Sequence, residues 1–279
     1  MSDISQSSDL NIRNLLLEMV SEIDDDEVAV FLSSGMDSRC ILFALLEYGK
    51  KVHTYSFTLD DRVSTDCRVA EDVSKTYGVK FTRIVLPTSI DILKRDVILL
   101  HNKYGCMKKT EYECVWPFLY SYKVIDERVV SNGIRADIHF GNFKRARIHY
   151  KDDLDGFRRE VFSDVNGGQK IQHSVLAKEY NKILFEPFRD QRMIDHFMGS
   201  TFEQCNKPHP KQPILDSFPE YFSKYKVYGH TNFQAGDSGI LEHFDKLLQT
   251  DWNIHNYKSV VGIFNVINRG ELNGRRKLI

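Results

Sequence analysis

The sequence predicts an α/β protein in which a parallel, doubly wound sheet carries a helical C-terminal portion. Two observations lead there. Apolar β-branched runs alternate with amphipathic helical segments through the first third of the chain, the order strand, helix, strand, helix, strand that builds parallel sheets. From about residue 145 strand alternation stops and helical spacing takes over. A third observation fixes the centre of the fold: Val28-Ala29-Val30-Phe31-Leu32 runs through the small residues Ser33-Ser34-Gly35 directly into a helix.

Each element has its own reason. Ser2 to Asp9 is polar, and Ile12, Leu15, Leu16, Met19, Val20 and Ile23 then recur at helical spacing, giving one amphipathic helix that ends at Asp24-Asp25-Asp26. We divide the chain there, into an N-terminal helix (1–26), an α/β core (27–143) and a mostly helical part packed on that core (144–279). After the strand at Val28 to Leu32, a helix is expected from about Asp37 to Tyr48, closed by Gly49. Lys51 to Thr58 reads as the second strand and Asp66 to Tyr77 as a helix with Val69, Ala70, Val73 and Ser74 inward. Lys80 to Leu86 reads as the third strand. Ser89 suits the N-cap of a helix reaching about Lys103, another helix is expected over Val115 to Asp126, and Arg128 to Ser131 is a short strand. The remainder reads as helices and loops, including the proline cluster Pro208, Pro210, Pro213 and Pro219.

With 38 Lys and Arg against 39 Asp and Glu, nothing draws the whole chain to nucleic acid or to a membrane surface, so partner choice must come from a site. The basic tracts Lys144-Arg145-Ala146-Arg147 and Gly274-Arg275-Arg276-Lys277 are of the kind that more often form solvated faces. Cys40, Cys67, Cys106, Cys114 and Cys205 are odd in number and contain no Cys-x-x-Cys pair, which argues against a disulfide framework or zinc site and for a reducing, cytoplasmic setting. No signal core or membrane-length segment stands out.

The turn at Ser33 to Ser38 lies where a strand meets a helix N-terminus, whose amides and positive dipole end suit a phosphate. Asp37, in the first helical turn, is equally readable as a dipole partner. A second small-residue turn follows Arg128-Val129-Val130-Ser131 and carries a second aspartate, Asp137, in Gly133-Ile134-Arg135-Ala136-Asp137. Right-handed crossovers would place such turns at the carboxyl edge of the sheet, where these folds hold ligands.

Ser33-Ser34-Gly35-Met36-Asp37-Ser38 resembles the Ser-Gly-Gly-x-Asp-Ser pyrophosphate loop of the PP-loop ATP pyrophosphatases, with Ser34 in place of a glycine. Thr54-Tyr55-Ser56-Phe57-Thr58, then Asp66, Ala70 and Gly78, are similar to the second strand and helix of the asparagine synthetase family. Gly133 with Ala136-Asp137 and Phe140-Gly141 is similar to that family's Gly-Glu-Gly-Ala-Asp-Glu-Leu-Phe-Gly-Gly loop. Pro187-Phe188-Arg189-Asp190 resembles its Pro-Phe-Leu-Asp, and Lys224-Tyr225-Lys226 with Asn232-Phe233 its Arg-x-Lys and later Phe.

The resemblance implies that ATP activates a small-molecule carboxylate as an acyl-adenylate with loss of pyrophosphate, and that an amine or ammonia then displaces AMP. It would assign the nucleotide to Ser33, Ser34, Gly35, Met36, Asp37, Ser38, Phe57 and Gly133, and Mg²⁺ to Asp37 and Asp137. Lys226 would be the catalytic lysine. The segment before the first strand is too short for that family's glutaminase domain. The nitrogen is then expected from solution, from a separate amidotransferase or other ammonia-supplying protein, or from the substrate itself. Ile134 stands where the family has a glutamate or tyrosine, and Ile183 where it has a second glutamate. An isoleucine accepts no proton, so the base for the attacking amine is not evident. Two further readings stay open: activation of a nucleobase carbonyl in nucleic acid, and nucleotide binding without catalysis.

Overall fold

A computed structural model describes residues 11–141, 150, 153–163, 170–226 and 236–252. Five parallel strands form one sheet in the order β3-β2-β1-β4-β5: β1 is Glu27–Phe31, β2 Lys51–Leu59, β3 Lys80–Leu86, β4 Val129–Ser131 and β5 Ile183–Phe185. The strand order reverses at β1, so the carboxyl ends of β1 and β4 border the crevice where doubly wound sheets place ligands.

Alternate residues of the strands feed two cores. Val28, Val30, Val52 and Val129 face one helical layer, built from α1 (Ile12–Ser21), α2 (Met36–Tyr48) and α3 (Thr65–Thr76). Ala29, Phe31, Tyr55, Leu59 and Val130 face the other, built from α4 (Ile90–Tyr104) and α5 (Lys109–Ser121). The near-continuous burial of β1 is what a parallel strand covered on both faces requires. The N-terminal helix α1 buries Ile12, Leu16, Met19 and Val20 in the same cluster as α2. Gly49 ends α2 in the left-handed region at φ 90°, and Ser89 caps α4 by accepting from the Ile92 amide.

After β4 comes the short helix α6 (Ala136–Phe140), then α7 (Leu154–Ser163), α8 (Lys170–Glu179), α9 (Gln191–Met198), α10 (Phe202–Asn206) and α11 (Gln212–Ser217). These helices divide between the layers: Met193, Phe197, Cys205 and Ile214 join the cluster of α1 and α2, while Leu176 and Ala177 join that of α4 and α5. Arg158 of α7 is 2 % exposed and donates to the carbonyls of His139, Phe197 and Ser200, tying the end of α6 to α9.

Two elements differ from the sequence expectation. The region after residue 145, expected to be helices and loops, contains the strand β5; three residues are too few to show alternation, and parallel pairing with β4 makes the strand. The helix expected at Val115 starts at Lys109, because the Glu111 carboxylate accepts from the amides of Met107 and Lys108 and fixes the first turn there. Pro117 sits inside that helix. Trp116, Phe118 and Tyr122 pack into the core, with the Trp116 indole donating to Asp96 at 2.8 Å. All five cysteines are unpaired thiols, and among the described residues no helix is long and apolar enough to cross a membrane.

Candidate active site

The loop after β1 and the loop after β4 meet at the crevice. Their contact point is Gly133: a Cβ built on it would lie 3.0 Å from the Asp37 Cβ and 3.0 Å from the Ser38 amide nitrogen. Beside the nucleotide role that the resemblance implies for Gly133, the geometry gives it a packing reason, since a side chain here would push the two aspartate-bearing loops apart. Gly133→Ala is expected to cost about 1–3 kcal/mol of stability through that overlap, checked by the urea midpoint. Arg135 adopts φ 76°, the left-handed backbone that suits the glycine of the similar loop, and its guanidinium donates to the Val161 carbonyl at 3.0 Å.

Asp37, at the start of α2, and Asp137, in α6, converge on one nitrogen. Lys211 Nζ lies 2.8 and 2.6 Å from the two oxygens of Asp37 and 2.6 Å from Asp137 Oδ1, and the Lys211 side chain is 2 % exposed. Burial alone would pull the lysine pKa down, but Asp37 and then Asp137 more than offset it, so the ammonium is held charged above its ordinary value. Two carboxylates and one ammonium leave the cluster with net charge −1. Lys211 owes its place to its surroundings: its amide donates to Asn206 Oδ1 at 3.2 Å, and the Asn206 amide group donates to the carbonyls of Phe140 and Phe202. The ammonium also lies 5.6 Å from the Phe140 ring centroid. Lys211 itself sits at φ 59° immediately before α11.

Within the first loop, Ser38 Oγ accepts from the Ser33 amide at 3.1 Å and lies 3.1 Å from Ser33 Oγ, which in turn accepts from the Gly35 amide at 3.2 Å. The Ser34 amide donates to Asp66 Oδ1 at 3.0 Å, and the Ser34 hydroxyl donates to the same oxygen. Met36 is 8 % exposed and opens α2. Phe57 stands near the carboxyl end of β2 with its ring centroid 6.4 Å from that of Phe118, in edge contact.

A lysine that sequence reasoning did not single out, Lys211, is thus at the aspartates. Lys226 has an exposed side chain, and its main chain is held in place: the buried Arg39 donates to the carbonyls of Lys226 at 2.9 Å and Tyr225 at 3.2 Å, under the rings of Phe222 and Tyr225. Ile134 packs partly buried against the α4 and α5 core, and Ile183 is 47 % exposed at the start of β5. The carboxylate that β5 brings to this region is Glu186, which sequence reasoning missed. Its side chain is 9 % exposed, accepts from Asn132 Nδ2 at 3.2 Å and pairs with Arg189 at 3.0 Å. His139 is neutral packing: burial pushes its pKa down to about 3, and Nε2 bonds the Phe188 carbonyl. Asn142, Lys144 to Arg147, His149, Asn232, Phe233 and Gly274 to Lys277 lie outside the described residues.

The family model described as asparagine synthase matches residues 11–98, less than a third of the chain. The match takes in α1, the first loop, Phe57 and Asp66; Gly133, Asp137, Lys211 and Lys226 fall beyond it. No curated protein matches the chain.

Proposed function

We propose, from the likeness of residues 11–98 to the asparagine synthase family, that the protein is an ATP-dependent, amide-forming ligase. The single observation that carries the reading is the convergence of Asp37 and Asp137, one from each loop at the strand-order reversal, on the buried Lys211. A carboxylate oxygen of the substrate attacks the α-phosphorus of ATP and pyrophosphate leaves; an amine nitrogen then attacks the acyl carbon, AMP leaves with the bonding pair, and the amine loses a proton.

The chain's residues divide that work. Charge grows on the departing pyrophosphate, and the first loop answers it with the amides of Ser34, Gly35 and Met36 and the hydroxyls of Ser33 and Ser38. Lys211 offsets charge on the phosphoryl oxygens. Lys226, whose main chain Arg39 fixes beside α2, is the second lysine proposed, for the tetrahedral intermediate. Phe57 and Gly133 shape the nucleotide side of the crevice.

Asp37 and Asp137 would hold Mg²⁺ with Lys211 Nζ displaced from between them: their oxygens converge on the point the ammonium now fills, and among the described residues no group of three or more acids, histidines or cysteines forms a closed cage. Few carboxylates, with the remaining positions left to phosphate oxygens and water, is the habit of that ion. When bound it would neutralise phosphate charge and orient the leaving group.

The substrates proposed are a small-molecule carboxylate and an amine or ammonia, the latter supplied from solution or by a separate amidotransferase, in a reducing cytoplasm that suits five unpaired thiols. Release of radiolabelled pyrophosphate from ATP is the test. Release driven by members of a carboxylic-acid panel is expected; release driven only by RNA or DNA would replace this reading with nucleobase activation, and ATP binding with no release under any condition would remove catalysis from it.

A further inference from the structure

The resting phosphate loop is already occupied by an anion belonging to the chain. Asp66, in the first turn of α3, is not needed to cap its own helix: the Ser64 hydroxyl accepts from the Cys67 amide at 3.1 Å, and Asp237 accepts from the Thr65 amide at 2.7 Å. Its Oδ1 instead reaches from the start of α3 to the loop after β1 and accepts from both the amide and the hydroxyl of Ser34. A carboxylate oxygen accepting from a loop amide and a hydroxyl makes the bonds a phosphoryl oxygen makes in the same place. The one departure of this loop from the Ser-Gly-Gly-x-Asp-Ser pattern, serine for glycine at position 34, supplies the second of those two donors. Departure and carboxylate are thus one device.

We propose that Asp66 is a positioning residue that stands in for phosphate on the resting loop, and that nucleotide binding exchanges its carboxylate for a phosphoryl oxygen on Ser34. The inference rests on the reading of this loop as the pyrophosphate site. It has a counterpart on the cation side, where Lys211 occupies the point between Asp37 and Asp137. A polyanion therefore meets a loop whose donors must first release a competitor of its own charge, and removing that competitor strengthens binding.

The probe is inorganic pyrophosphate with Mg²⁺, titrated calorimetrically into the full chain, with thermal melting as the control for folding. Asp66→Asn is expected to bind pyrophosphate about tenfold more tightly than wild type, because the negative charge competing for the Ser34 donors is gone. Ser34→Gly, which deletes one of the two bonds, is expected to tighten binding by a smaller factor. The double variant should gain no more than Asp66→Asn alone, since both changes release the same contact. A lower KM for ATP should accompany each gain. Wild-type binding with equal or weaker binding by both single variants would overturn the exchange while leaving the nucleotide site standing, because a merely structural Asp66 would loosen the loop when removed. No binding by wild type or variants would overturn the exchange and the pyrophosphate site together.

Discussion

Asp37→Asn and Asp137→Asn are each expected to lose most magnesium-dependent release of pyrophosphate from ATP, by about 100-fold or more, with the fold intact. Either change leaves Lys211 one carboxylate at hydrogen-bond distance, so the buried ammonium keeps a partner and the chain stays folded. What disappears is the second of two oxygen ligands that converge on one point, and with it the net negative charge that draws a divalent cation into the crevice. Circular dichroism and melting report the fold, and pyrophosphate release reports the site. Near-wild-type turnover in both variants would show that the paired aspartates do not serve the reaction.

Lys211→Met is expected to destabilise the protein by about 3–5 kcal/mol, the usual consequence of removing one member of a buried charge cluster. Methionine fills the space of the lysine stem, so the loss is electrostatic: Asp37 and Asp137 are left facing the same point with no cation between them. The pH dependence carries a sign that a packing defect would not give. In the wild type the folded lysine pKa is raised, so its contribution to stability is fully present below the unfolded value of about 10.4 and is lost as pH rises through the folded one. In the variant, two carboxylates facing one point without the ammonium between them favour protonation of one of them, so its deficit shrinks as pH falls toward the carboxylate range. The difference in urea-derived stability should therefore be widest near neutral pH and narrow on both sides. A difference constant between about pH 4 and 11 would contradict it.

Much of the fold was legible because its signals are local. A β-branched run, a small-residue turn and a helical repeat announce β1 and α2, and Gly49 and Ser89 mark helix ends within one residue of where they fall. The meeting of Asp37 and Asp137 was legible too: both follow strands, and parallel topology with right-handed crossovers sends both turns to one edge of the sheet. Lys211 was not. It lies 174 residues from Asp37, inside a proline cluster with no periodicity, and its place depends on Asn206 bonding the end of α6. The only local hint was a lysine ahead of a helix with proline in its first turn.

Glu186 escaped for a related reason. The Pro187 motif drew attention to Ile183, and nothing local marks the carboxylate just past the other end of β5, which bonds Asn132 and pairs with Arg189 only in the folded chain. The contact of Gly133 with Asp37 and Ser38 was not legible either, because backbone packing between two loops distant in sequence leaves no trace in either one.

The measurement that bears most directly on the site is calorimetric titration of ATP with Mg²⁺ into the wild type and into a variant carrying both Asp37→Asn and Asp137→Asn. The account predicts binding by the wild type that weakens sharply when the metal is chelated, and little metal-dependent binding by the variant. Equal binding by the two proteins with and without Mg²⁺, or none by the wild type, would contradict it.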